Sequence, residues 1–246
     1  MKVRKFIKKY RHAWVFLYAL IYMPWFTYLE KHVTQDYYLI HSPLDDYIPF
    51  VEYFIVPYLL WFLFIAVGAG YFFFTDKNGF YRLAAFLITG MTFFLIICTV
   101  FPNGLALRPT EFERDNIFTR MVQFIYAADT PTNVLPSIHV FNSTGIAIAV
   151  AHSNKLKQKK WIQYLTYLFA GLIILSTMFL KQHSVTDVFA ALVMAGIIYP
   201  FCICAGAQES HEGCAPAGTQ QNMIHLRRRD NVRRIYRKSS DRKRDD

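Results

Sequence analysis

The 246-residue chain predicts an all-α fold, a bundle of six transmembrane helices with both termini on the inner side. Three observations lead there. Hydrophobic residues make up 54% of the chain, above the usual globular share. They gather into runs near the roughly 20 residues that a helix needs to cross a bilayer. The basic residues, in turn, concentrate on alternate sides of those runs.

The six runs are 13–29, 53–74, 83–101, 137–151, 161–180 and 185–204. The first follows a basic stretch of Lys2, Arg4, Lys5, Lys8 and Lys9, as a secretory leader would. It is rich in aromatics, contains Pro24 and ends at Tyr28-Leu29-Glu30 with no small-residue cleavage site, so it reads as a retained anchor. With the N-terminus inside, the inner segments 1–12, 75–82, 154–160 and 205–246 hold 6, 2, 4 and 10 basic residues, 22 of the 27. The other five are Lys31, Arg108, Arg114, Arg120 and Lys181. The net charge of +10 is therefore a topology signal, and no nucleic-acid partner is expected. The expected partners are the bilayer and a membrane lipid, in the cell membrane.

Three regions follow: a basic inner N-terminus (1–12), a membrane domain (13–204) and a basic tail (205–246) with too few apolar residues to pack. The outer loop at 30–52, with His41-Ser42-Pro43-Leu44-Asp45-Asp46, reads as a wet loop with an aromatic collar. Asp76-Lys77-Asn78-Gly79 reads as a tight inner turn. The outer segment 102–136 is long enough to be functional, and 117–126 has helical apolar spacing. Cys98, Cys202, Cys204 and Cys214 are expected to form no disulfide framework, and with His211 no metal site.

Polar groups at the outer ends of the runs carry the chemistry, because ionisable groups beside hydrocarbon are expensive and mark function. His183 and Asp187 are four residues apart at a helix start and share a face. A carboxylate on one ring nitrogen leaves the other free to attack, although Asp187 also suits a plain helix N-terminus. Pro136 and Ser137 fit a helix start, with Ser as cap. From there His139, Asn142 and Ser143 form a polar stripe that must face a bundle interior. Facing His183, His139 is the natural general acid for a leaving alkoxide. Arg108 and Lys181 supply positive charge for phosphate oxygens, or snorkel at the interface.

Together, Arg108-Pro109, then Pro136-Ser137-Ile138-His139, then Ser176 with His183 and Asp187 resemble the type-2 phosphatidic acid phosphatase superfamily. Its signature comprises Lys-x6-Arg-Pro, Pro-Ser-Gly-His and Ser-Arg-x5-His-x3-Asp blocks on a six-helix core. Here Ile138 replaces Gly, while Phe101 and Thr177 stand where two of the family's cations would be. Those departures resemble a divergent branch containing inositolphosphoryl-ceramide and sphingomyelin synthases. The resemblance implies a metal-independent lipid phosphatase without cofactor. His183 would be its nucleophile, Asp187 would orient His183, and His139 would serve as acid and base. Arg108, Lys181, Ser137 and Ser176 would bind phosphate, with Pro136 and Asn142 behind them.

Overall fold

The apolar runs are helical in the computed structural model, which describes residues 9–34 and 36–204, with side chains through Cys202. The tail 205–246, with Cys214 and His211, lies outside the described residues, as does the side chain of Cys204. The first run is a 3-10 segment, Arg11–Tyr18, continuing into α1, Ala19–His32. Then come α2 (Ile55–Thr75), α3 (Lys77–Val100), α4 (Ile117–Ala128), α5 (Ile138–His152), α6 (Lys160–Phe179) and α7 (Val185–Tyr199). Among the described residues four stretches are long and apolar enough to cross a membrane: Glu52–Thr75, Lys77–Val100, Lys160–Phe179 and Val185–Cys202. Outward-facing Phe62, Val67, Phe93, Leu168, Phe189 and Ile197 are exposed, as lipid-facing side chains would be.

The short helix α5 sits at the centre, against α2, α3, α6 and α7. Its 15 residues rise only about 22 Å, less than the roughly 30 Å of bilayer hydrocarbon. Enclosure by other helices accounts for that length. Phe141 stacks on Phe86 of α3 with ring centroids 4.5 Å apart. Gly90 makes this possible, since a Cβ there would lie 2.0 Å from the Phe141 ring. Such aromatic pairs contribute about 0.5–1.5 kcal/mol beyond buried area. The polar stripe of α5 does turn inward: Asn142 and Ser143 are both buried.

Helices α2 and α3 meet at Asp76 alone, which corrects the expected turn. Asp76 is the N-cap of α3 and accepts from the Gly79 N–H at 3.0 Å, so Asn78-Gly79 is the first helical turn. The helix starts so abruptly that a Cβ on Gly79 would lie 2.7 Å from the Asp76 carboxylate and 2.8 Å from Phe72.

The segments 33–54 and 101–137 are joined. Strand β1 (Tyr38–Leu39) pairs in parallel with β2 (Asn103–Gly104), and Gly104 bridges antiparallel to Thr132. Asn103, fully buried, accepts from the Val134 and Leu135 N–H groups at 2.9 Å each. This bonding fixes the chain just before Pro136 and the start of α5. The helical spacing at 117–126 corresponds to α4, capped by Asn116 through the Thr119 N–H. Glu52, buried at the approach to α2, accepts from Asn116 at 3.0 Å and from Arg114 at 3.4 Å.

Candidate active site

The site grows from two helix starts held against each other. Ser137 caps α5 by accepting from the Val140 N–H, and its own N–H donates to the Asp187 carbonyl at 3.2 Å. Ser184 caps α7 in a capping box, in which the Asp187 carboxylate accepts the Ser184 N–H at 2.9 Å. The same oxygen, Oδ2, lies 3.4 Å from Nδ1 of His183. Both readings of Asp187 from the sequence therefore hold at one atom. Asp187 is 0% exposed and its Oδ1 has no partner. A buried carboxylate of this kind is an acceptor, so His183 carries its proton on Nδ1.

Nε2 of His183 then points its lone pair at Nδ1 of His139, 3.3 Å away. Hydrogen bonding assigns the His139 proton to Nδ1. The His139 ring is wedged between Tyr58 and Trp61 of α2, at centroid distances of 4.8 and 4.4 Å. These two aromatics, one helical turn apart, set the ring's tilt; their apolar setting hid them in the sequence. His183 is 8% exposed, so the pair is screened from bulk water.

The charged residues are arranged differently from the sequence expectation. Arg108 donates from Nη1 to the carbonyls of Tyr126 (3.2 Å) and Asp129 (2.8 Å). Its Nη2 donates to the Thr130 carbonyl (3.3 Å) and Gln182 Oε1 (2.7 Å). A two-pronged grip on phosphate is thus already engaged with backbone and amide oxygens, and only Nε, buried, is without a partner. The guanidinium also lies over the Tyr126 ring, 4.6 Å from its centroid. Burial lowers the pKa of Arg108 and nearby Asp129 opposes this, leaving it charged at neutral pH. Burial pushes the Asp129 carboxyl above its ordinary range and Glu30 adds to this, while Arg108 and His183 pull it back.

Lys181 is engaged elsewhere too. Its ammonium donates to the carbonyls of Asp45 (2.7 Å) and Ile48 (2.5 Å), from a backbone at φ 52°. It tethers the first outer loop instead of standing free at the pair. Ser176 is fully buried and donates to the Ile173 carbonyl of its own helix. Thr177 likewise bonds back to Ile174, and Phe101 stacks on Tyr38 at 4.6 Å. Pro136 precedes the α5 cap, and Asn142, with its Oδ1 unpartnered, lies one turn below His139.

The wet-loop reading of 30–52 missed Asp45. This residue is 2% exposed, and its carboxylate accepts from Ser184 Oγ (2.6 Å), the Val185 N–H (2.8 Å) and the Ser42 N–H (2.8 Å). It therefore closes the first turn of the helix that carries the His183–Asp187 pair. The signal was present: Ser42-Pro43-Leu44-Asp45 has capping-box spacing with proline at the first position. Gln182 was also missed, and no pattern in the sequence marks it. Among the described residues, no group of three or more His, Cys, Asp and Glu is placed to hold a metal ion.

The described helices form a membrane-type bundle in which two histidines face each other beside a buried carboxylate. The chain belongs to the PAP2 superfamily, whose family model matches residues 83–209, just over half of its length. Members of that superfamily are typically phosphatases or phosphotransferases. The match takes in Arg108, His139, His183 and Asp187, while Asp45, Tyr58 and Trp61 lie before it. No curated protein and no solved structure matches the chain.

Proposed function

We propose that the protein hydrolyses a lipid phosphate or pyrophosphate monoester at the outer membrane face through a phosphohistidine. The observation that carries this reading is the aligned trio: Asp187 on Nδ1 of His183, with Nε2 facing His139 Nδ1. Nε2 attacks phosphorus, forming an N–P bond as the P–O bond to the lipid alcohol breaks. His139 gives its Nδ1 proton to the departing alkoxide. Water then attacks phosphorus and gives a proton to His139, and the N–P bond breaks to free phosphate. At 3.3 Å the two rings leave no room for phosphorus between them, so substrate binding must part them. Asp187 holds the tautomer and stabilises charge developing on His183. Arg108 contributes charge and its Nε–H. Ser137 and the amides at the start of α5 support the phosphate, and Lys181 serves as a tether for the outer loop.

Six spans, with the N-terminus and tail inside, place this site outward. The support is the charge bias of the sequence.

The test is phosphate release by purified protein from phosphatidic acid, phosphatidylglycerol phosphate and a polyprenyl pyrophosphate. His183→Ala is expected to abolish release and the acid-labile phosphoprotein while keeping membrane insertion. Unchanged release in that variant sinks the mechanism. Head-group transfer to an acceptor lipid is the second reading. It is favoured by the neutral Phe101 and Thr177 and the tethered Lys181, which suit the single charge of a phosphodiester. Labelled phospholipid that turns over only when an acceptor lipid is added selects it.

A further inference from the structure

Beside the nucleophile stands a side chain to which neither the family motif nor the mechanism gives a role. Gln182 immediately precedes His183 and is 4% exposed. Its backbone N–H and that of His183 both donate to the Thr177 carbonyl, at 2.9 and 3.0 Å. One carbonyl thus fixes both residues in the tight passage between α6 and α7.

The orientation of its amide is settled by chemistry. Arg108 offers only donors, so the atom 2.7 Å from Nη2 must be the Gln182 oxygen. The amide nitrogen, with two N–H groups, is then turned the other way, and it is buried without a partner. Arg108 Nε is a second buried donor without a partner in the same bonded pair. Native interiors rarely leave buried donors unmatched, and such groups call for an explanation.

We propose that Gln182 is a substrate-binding residue: Arg108 holds its amide oxygen, and its amide N–H groups donate to non-bridging oxygens of the phosphoryl group at His183. This inference rests on the reading of the site as a phosphoryl-transfer centre. It divides the work of the expected cationic clamp. Arg108 supplies charge, its Nε–H and the orientation of Gln182, and the neutral amide adds donors of its own.

The test compares Gln182→Glu with Gln182→Ala in the purified full chain, alongside His183→Ala. Glutamate keeps the acceptor toward Arg108 and the shape, but replaces both donors with anionic oxygen. Expected lipid-phosphate turnover follows the order Gln, then Ala at about 10-fold lower, then Glu at about 100-fold lower, with KM rising in both. Affinity for inorganic phosphate, measured by calorimetry, is expected to fall in the same order. A residue that merely anchors Arg108 would instead give wild-type behaviour in Gln182→Glu and loss only in Gln182→Ala, which overturns the proposal. Wild-type phosphate affinity and KM in Gln182→Ala overturn it as well, whatever the fate of the glutamate variant. The two readings fail separately: release that survives His183→Ala defeats the mechanism, whereas release that needs His183 but ignores both Gln182 variants defeats this inference alone.

Discussion

The two long connecting segments at the His183 end of the bundle make opposite uses of their polar residues. The second, running from Phe101 to Ser137, is long and charged and contains a motif arginine, yet most of its bonds organise itself. Asn103 holds Val134 and Leu135, and Arg108 holds Tyr126, Asp129 and Thr130. The first, from Val33 to Phe54, is shorter and unremarkable in composition. It nevertheless places one carboxylate on the helix start that follows His183, and Lys181 ties its backbone down from the other side. Charge density along a sequence does not say which loop supports a site. What matters is where a buried carboxylate ends, because burial without bonds is too costly to persist.

Within this comparison the largest effect should come from Asp45→Ala. It strips the Ser184 hydroxyl and Val185 N–H of their acceptor and loosens the first turn of α7. Turnover should fall by about 10-fold or more, and stability by about 1–3 kcal/mol, read by lipid-phosphate release and thermal melting. Asp45→Asn should fall between wild type and Ala, since its carbonyl can still accept one of these bonds. Wild-type turnover in Asp45→Ala would break the comparison.

Asn103→Ala tests the other side. Two buried N–H groups lose their acceptor, so stability should drop by about 1–3 kcal/mol. Activity per folded molecule, from turnover normalised to monodisperse protein, should change less than in Asp45→Ala.

Lys181→Met releases the loop carbonyls while Asp45 keeps its contacts. The expected loss of turnover is a few-fold, with KM for a lipid phosphate nearly unchanged. A selective rise in KM would return Lys181 to direct phosphate binding.

The smallest effect is Asp129→Asn. The folded-state pKa of Asp129 is raised by burial, so its ionisation costs stability. That cost is absent below the unfolded pKa of about 4, where both states are protonated, and grows as pH rises through the raised folded value. The variant should therefore match wild type in melting temperature near pH 4 and exceed it modestly at neutral pH.

Individual residues show how far the sequence could be read. Apolar runs marked the helices, because a chain that meets lipid must hide its backbone in helices and present apolar side chains. The pairing of His183 with Asp187 was legible from i,i+4 spacing, and the cap at Ser137 from its place after proline. The inward turn of Asn142 and Ser143 followed from their cost in lipid. Asp76 was misread because Asn-Gly suits a turn and a tightly capped helix start alike. Asp45 carried a capping-box spacing that its loop setting disguised. Arg108 and Lys181 were read as phosphate-binding cations, but apart from the Gln182 amide their partners are backbone carbonyls, which every residue carries and no side-chain pattern announces.

Local spacing and solvent preference therefore determined the helical class, the alternation of charge and the pairing of His183 with Asp187, since these depend on neighbours along the chain. Tertiary structure alone decided which donors remain unpartnered beside His183. It engaged the Arg108 fork with three backbone carbonyls and the Gln182 amide oxygen, and set the Asp45 carboxylate on the first turn of α7. Those roles depend on long-range contacts, 74 residues apart for Arg108 and Gln182 and 139 for Asp45 and Ser184, that only folding brings together.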